Sequence, residues 1–309
     1  MPIRSYRPVR TIPRAEHQRD ILCRTMPESR TPGPVVLRIR LGATLRRLRE
    51  ARGITAQQAA EAIRASDSKI SRIELGRHGA REIDVSDLLT LYGVTDLAER
   101  EQLLQLASDA LARPWWQGNV DILPAWFQSY LGLEEAAETV QSYDTHFVPG
   151  LLQTADYASG LLAQAHFSQK EIARFLDLRA QRLERFATGG GRLAAVIDEA
   201  VLRRPVGGAD IFGAQLEYLA ESSRRRAITI RIRPFAAGAP LSPAGFTILR
   251  FADEALPDAV YTEQLTSASY VDRPADVSRY GSTMHLLVNS SMPASQAAAM
   301  IAEALARVS

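Results

Sequence analysis

Apolar residues recur every three or four positions from about residue 39 to residue 106, and this spacing is typical of short amphipathic helices. The first such helix is predicted at about 39–51, and four more follow it. The apolar positions of the five are Leu41, Leu45, Leu48, Ala59, Ala60, Ile63, Ile70, Ile73, Val85, Leu88, Leu89, Leu91, Leu97, Leu103, Leu104 and Leu106. The pattern therefore predicts an all-α N-terminal domain of five helices.

Polar residues mark the predicted start of each later helix, because their side chains can accept a hydrogen bond from an unpaired backbone N–H. Thr55 begins the second helix, and Gln58 three residues on completes a capping box. Ser66 is predicted to cap the third helix, Asp84 the fourth and Thr95 the fifth.

The pattern changes in the second half of the chain, where stretches rich in Val, Ile, Thr and Phe predict strands. Helices are predicted at about 132–143, 151–165, 168–187, 209–225, 274–290 and 293–307, and strands at 192–202, 228–235, 246–251 and 258–265, with "ASYVD" (268–272) as a possible fifth. The expected fold class is α+β: the helical domain is followed by a mixed domain with a four- or five-stranded sheet.

The predicted domain boundaries follow these changes. Residues 1–34 are predicted to be a disordered basic arm, unless translation starts at Met26 and most of the arm does not exist. Residues 35–112 form the helical domain, 113–131 a linker or docking segment, and 132–309 the α+β domain. Trp115, Trp116, Trp126 and Phe127 lie in or near the segment, and we expect them to pack in a core rather than stack on bases.

Charge is divided unevenly along the chain. The net charge is only +2, but residues 1–81 hold 18 Arg and Lys against 7 Asp and Glu. A basic N-terminal quarter indicates a polyanionic partner for that part alone. The chain has one cysteine, Cys23, no secretory signal and no apolar run near the ~18 residues of a membrane span. We therefore expect a cytoplasmic protein without disulfides, which would associate with the nucleoid if its polyanionic partner is DNA.

The stretch "RASDSKISRIELGR" (64–77) predicts a short helix with a narrow apolar edge, Ile70 and Ile73. Its other side carries Asp67, Ser68, Lys69, Ser71 and Arg72. A helix pair joined by a tight turn, with alanines at the contact, is typical of a helix-turn-helix. Since the DNA major groove admits one α-helix, such a polar side can meet base edges there.

Residues 41–77 resemble the lambda-repressor-like, xenobiotic-response-element type of helix-turn-helix, through "LRRLREARGIT", "AAEAI" and "SKISRIELGR". The resemblance implies a DNA-binding set made of Gln57, Ser66, Asp67, Ser68, Lys69, Ser71, Arg72 and Arg77. In it Asp67, Ser68, Lys69 and Arg72 reach bases, while Gln57 and Arg77 contact phosphates. Asp67 either accepts from a cytosine amino group or helps to cap its own helix. Arg64 departs from the family pattern, because glycine is common at that turn position.

The second half also resembles a family. "HFVPGLLQTADYASGLL" (146–162), "DEAVLRRPVGG" (198–208), "QLEYLAE" (215–221), "IRPFAAGAP" (232–240) and "YTEQL" (261–265) are similar to the C-terminal domain of antitoxin-like regulators from high-GC mycelial bacteria. The resemblance implies a possible small acidic partner protein.

Catalytic patterns are weak in this chain. The five histidines are dispersed, and Asp198 with Glu199 fits a sheet edge better than an acid–base pair. Arg203 and Arg204 are more consistent with pairing to nearby acids than with holding an anion. Gln153 and Tyr157 are weak pocket candidates. We expect no catalytic, metal or cofactor site.

These observations together predict a transcriptional regulator that binds double-stranded DNA as a homodimer on a palindromic operator. One alternative is an antitoxin-like interaction module that sequesters a small partner protein. A ligand-hydrolysing enzyme with a regulatory head is a third, less favoured alternative.

Overall fold

The computed structural model describes residues 32–253 and 256–308, so nearly all of the predicted basic arm lies outside the described residues. Five helices form the N-terminal part, as predicted. They are α1 (Pro34–Ala51), α2 (Ala56–Ala62), α3 (Asp67–Glu74), α4 (Glu82–Leu91) and α5 (Leu97–Ala110). Helix α1 begins five residues earlier than the apolar pattern indicated, because its first turn is buried against the second part of the chain.

Two of the four predicted helix starts are confirmed. The Thr55 hydroxyl accepts a hydrogen bond from the Gln58 N–H, and the Gln58 side chain accepts one from the Thr55 N–H, which is the predicted capping box. The Ser66 hydroxyl accepts from the Lys69 N–H at the start of α3.

The other two predicted starts are wrong. Asp84 lies inside the first turn of α4, where its buried carboxylate accepts hydrogen bonds from side chains of Lys69 and Arg81. Asp96, and not Thr95, caps α5. A polar residue near a helix start looks like a cap in the sequence, and only the contacts of its side chain show whether it is one.

The second part of the chain folds around a single sheet. Its elements are α6 (Ala125–Ala136), β1 (Thr139–Asp144), α7 (Ala155–Gln164), α8 (Gln169–Thr188), β2 (Arg192–Asp198), α9 (Ala209–Ser222), β3 (Ile228–Arg233), β4 (Phe246–Arg250), β5 (Ala259–Glu263), β6 (Ala268–Val271), α10 (Pro274–Asn289) and α11 (Ala294–Ala306). The strand order is β3-β2-β1-β4-β5-β6. Strands β1, β2 and β3 are parallel, and β4, β5 and β6 continue the sheet antiparallel. The α+β class is therefore confirmed, with six strands among the described residues rather than four or five.

The missed strand is β1, which occupies most of the second half of a predicted helix at 132–143. It lies in the middle of the sheet, where Val140 stands beside Leu193 of β2 and Leu249 of β4. Pairing on both sides overrides the local helical pattern. The predicted strand 192–202 ends early for a local reason, because the Asp198 carboxylate accepts from the Ala200 N–H and starts a 3₁₀ turn, Glu199–Arg203.

Helix α1 belongs to both parts of the molecule. Val35, near its start, lies in the core beneath the sheet, beside Trp116 and Gly132. Leu41 and Leu45, one to two turns later, lie in the core of the five helices. The N-terminal helices are therefore joined to the sheet domain through one continuous helix.

The aromatic residues of the predicted docking segment pack as expected. Trp116 is 1% exposed within the sheet-domain core, and Trp115, Trp126 and Phe127 pack against that core. The opposite face of the sheet is covered by α10, whose Val277, Met284 and Leu287 form a smaller core with it. None of the helices within the described ranges is both long and apolar enough to cross a membrane.

Candidate nucleic-acid interface

Helices α2 and α3 form a close pair joined by a short turn. Ala59 and Ala60 of α2 are buried in the same core as Ile70 of α3, and their small side chains allow the two helices to approach. Within the turn, Arg64 has a φ of +51°, and the Ala65 N–H donates to the Ala60 carbonyl at 2.9 Å. The turn does require a left-handed residue at position 64, where arginine, rather than glycine, adopts that conformation.

Helix α3 separates an apolar edge from a polar face, as the sequence predicts. Ile70 and Ile73 are 1% and 2% exposed. Ser68, Ser71 and Arg72 are exposed, and no ion pair joins Arg72 to another described residue. The side chains of Ser68, Ser71 and Arg72 are thus free to meet a ligand.

Helix α1 holds the C-terminal end of α3 in place. A Cβ on Gly42 of α1 would lie 2.3 Å from the Ile73 carbonyl oxygen, so the two helices meet at a glycine. Arg49 donates two hydrogen bonds to the Glu74 carboxylate, at 2.6 and 2.9 Å, and a third to the Ile54 carbonyl oxygen. The hydrogen bonds to Glu74 raise the pKa of the Arg49 guanidinium, and this nearly buried pair anchors the end of α3.

The remaining predicted residues are spread around this helix pair. Gln57 is exposed in the first turn of α2, with its amide 3.3 Å from the Glu61 carboxylate. The Asp67 carboxylate accepts from the Ser68 N–H at 2.8 Å, which agrees with a local capping role. Arg77 is exposed just beyond Gly76, the glycine of φ +66° that follows α3.

Lys69 differs from its neighbours. Its ammonium nitrogen lies 2.9 Å from Oδ2 of Asp84 on α4, and its side chain is only 26% exposed. The same carboxylate accepts from Arg81. The hydrogen bond from Arg81 is the main cause of a lowered Asp84 pKa; Lys69 lowers it further, while burial opposes both. Sequence reasoning missed Asp84 as part of this site, because it read the residue as a cap.

The candidate residues of the sheet domain contact other parts of the fold. Glu199 is bonded to Arg203 and accepts from the Phe235 N–H at 2.8 Å. This confirms the expected pairing of Arg203 with a nearby acid. Gln153 donates to the Val148 carbonyl, and the completely buried Tyr157 accepts from the Val148 N–H, so neither side chain opens a pocket.

The molecule therefore combines an N-terminal helix-turn-helix with a C-terminal α+β domain. Residues 40–103 match the family described as "Helix-turn-helix domain". Residues 127–303, more than half of the chain, match the family described as "Domain of unknown function (DUF5753)", and the protein belongs to this family. No curated protein and no solved structure matches the chain.

Proposed function

We propose that the protein is a sequence-specific DNA-binding transcriptional regulator of the lambda-repressor-like, xenobiotic-response-element type. The observation that carries the proposal is helix α3, whose exposed Ser68, Ser71 and Arg72 lie opposite the buried Ile70 and Ile73. A helix held this way can enter the major groove while its polar face meets base edges.

Contacts to the DNA backbone would complete the interface. Gln57, in the first turn of α2, and Arg77, just beyond α3, are both exposed, and phosphate contacts of this kind set register without reading sequence. Because one such head makes few base contacts, we infer that the sheet domain pairs two copies on a palindromic site and receives a partner or ligand signal. The carboxylates of Asp198 and Glu199 are engaged within the fold, which supports a regulatory rather than a catalytic domain.

Selection of bound duplexes from a random DNA library tests this proposal. The wild-type protein is expected to enrich a palindrome. Arg72→Ala should weaken binding to that palindrome by roughly 1–3 kcal/mol, and the unfolding free energy should not change. Arg226→Ala, which removes an exposed arginine of the sheet domain, is the matched control and should bind normally.

Affinity for the selected duplex should also fall steeply as salt rises, because phosphate contacts release counterions. Failure of the folded wild-type protein to enrich any sequence would contradict the proposal. A loss below about 0.3 kcal/mol for Arg72→Ala would contradict the assigned reading face.

A further inference from the structure

The polar face of α3 contains one side chain that is turned inward. Lys69 belongs to the first turn of the helix, between exposed Ser68 and buried Ile70. Its stem crosses to α4, where the ammonium group donates to Oδ2 of Asp84. The Asp84 side chain is 4% exposed and the Lys69 side chain 26%, so a partly exposed lysine reaches a buried carboxylate.

The buried carboxylate of Asp84 depends on Lys69 as a hydrogen-bond donor. Arg81 also donates to it, at 2.7 Å to Oδ1 and 3.2 Å to Oδ2, but the Arg81 side chain is 70% exposed. If Lys69 swung out to a base, the buried carboxylate would keep only this solvent-exposed partner. Removing one partner from a buried charge is far costlier than the pair's net contribution to stability.

The contact also completes the support of α3. Its C-terminal end is held by Gly42 and by the Arg49–Glu74 pair, both through α1. Its N-terminal end, the end that approaches base edges in a helix-turn-helix, is joined to α4 by Lys69. The two ends of a helix fix its angle, so loss of either anchor changes how the helix enters a groove.

We infer that Lys69 and Asp84 form a positioning pair that sets the angle of α3, and that base discrimination falls to the exposed Ser68, Ser71 and Arg72. The inference rests on the proposed DNA-binding function and revises the role that family resemblance implies for Lys69. Lys69 and Asp84 are positioning residues, since they act on DNA through the placement of their neighbours.

A double-mutant cycle measures the pair without DNA. Lys69→Met keeps the length of the apolar stem and removes the charge, and Asp84→Asn keeps the shape of the partner. Each single variant is expected to raise the unfolding equilibrium constant about tenfold, and the double variant no more than either single one. If the two substitutions change the unfolding free energy additively, the two side chains do not interact and the proposed pair is wrong.

The pKa of Asp84 provides a second test of the pair, and this test does not require the Asp84→Asn variant to fold. In a carboxyl titration by NMR, Lys69→Met should raise the pKa of Asp84 from its lowered value. Lys69→Arg, which retains a cation, should largely preserve that lowered pKa. An unchanged Asp84 pKa in Lys69→Met would also overturn the pair.

The base preference measured by DNA selection distinguishes a residue that positions α3 from a residue that contacts bases. Lys69→Met should lower affinity for the selected duplex and weaken base preference at several positions together, because the whole helix shifts, while the preferred base at each position stays the same. Arg72→Met, the matched control on the exposed face, should relax preference at one base pair. A change of preferred base in Lys69→Met would refute the positioning role. If wild-type protein selects no sequence, the proposed function fails, while the cycle and the titration still decide whether the pair exists.

Discussion

The arginines beside the polar face of α3 have different surroundings from those packed within the sheet half. In the helical half, Arg72 and Arg77 are exposed beside the candidate reading face. In the sheet half, Arg182 is bonded to Glu134, Arg203 to Glu199, and the 2%-exposed Arg233 donates to three backbone carbonyls. Water satisfies an exposed guanidinium until a polyanion replaces it, whereas a buried one must be satisfied by the protein. Arginine therefore supports the fold where it is buried, as at Arg182 and Arg233, and stays available to a partner where it is exposed, as at Arg72 and Arg77.

The largest effect is expected from breaking the buried pairing of the sheet half. Glu134 is 1% exposed and accepts from Arg182 and from the Tyr130 hydroxyl. Glu134→Ala should lower the unfolding free energy by about 3–5 kcal/mol, because Arg182 would stay buried without its carboxylate. Urea denaturation measures this change.

An exposed ion pair provides the control for that measurement. Glu303 lies 3.8 Å from Arg307, and its side chain is 70% exposed. Glu303→Ala should change the unfolding free energy by less than about 0.5 kcal/mol. Equal losses in the two variants would mean that burial does not distinguish the two kinds of arginine.

The support of helix α3 provides the second test. Gly42→Ala would place a Cβ 2.3 Å from the Ile73 carbonyl oxygen, so α1 and α3 would have to separate. We expect a loss of about 2–3 kcal/mol in unfolding free energy, together with weaker DNA binding. Gly118→Ala is the control, because its Cβ would meet nothing within 4 Å. A Gly42→Ala variant as stable as Gly118→Ala would show that this contact is not tight.

An unpaired acid in the sheet half provides a test by pH. Oδ2 of Asp144, at the end of β1, is buried and has no hydrogen-bond partner among the described residues. Burial raises the pKa of this carboxyl to about 7, and the Ser142 side chain on the same strand opposes part of that rise. An acid whose pKa is raised on folding favours the folded state below its unfolded pKa, and the benefit is lost as pH rises towards 7.

Asp144→Asn removes that titration. The unfolding free energy of the variant minus that of wild type should rise by about 2 kcal/mol from pH 5 to pH 8. Urea denaturation at the two pH values measures the gain. If the difference between variant and wild type is the same at both values, Asp144 is already ionised at pH 5.

The smallest effect on stability is expected at the turn before helix α3. Arg64→Gly should stabilise the protein by about 0.5 kcal/mol, because glycine adopts the observed φ of +51° without steric cost but loses more entropy on folding. Arg47→Gly, at an exposed position within α1, should destabilise it by about 1 kcal/mol. Both changes are measurable by thermal unfolding, and a destabilising Arg64→Gly would contradict the strain inferred at this turn.

Much of the helical half could be predicted from short-range pattern. The capping box at Thr55, the Ser66 cap and the buried edge of Ile70 and Ile73 all depend on residues within one or two turns of each other. Such interactions are encoded locally, so sequence spacing alone identifies them. The fold class of the sheet half was also predictable, because four of its strands carry a clear β-rich composition.

The strand β1 and the partners of the charged side chains could not be predicted in this way. Strand β1 exists because β2 and β4, about 50 and 110 residues further along the chain, pair with it on its two sides. Asp84 and Lys69 are 15 positions apart, and Glu134 and Arg182 are 48 apart. Nothing in the local sequence indicates which acidic side chain pairs with which lysine or arginine.

For this protein, the spacing of apolar and capping residues was enough to place a helix-turn-helix near the N-terminus and to mark the polar face of α3. The fold alone decided that Lys69 turns inward while Ser68 and Arg72 stay exposed. The physical reason is that a side chain's partner is set by which helices pack together. In a buried setting, satisfying a carboxylate such as Asp84 outweighs the local preference of a lysine for water.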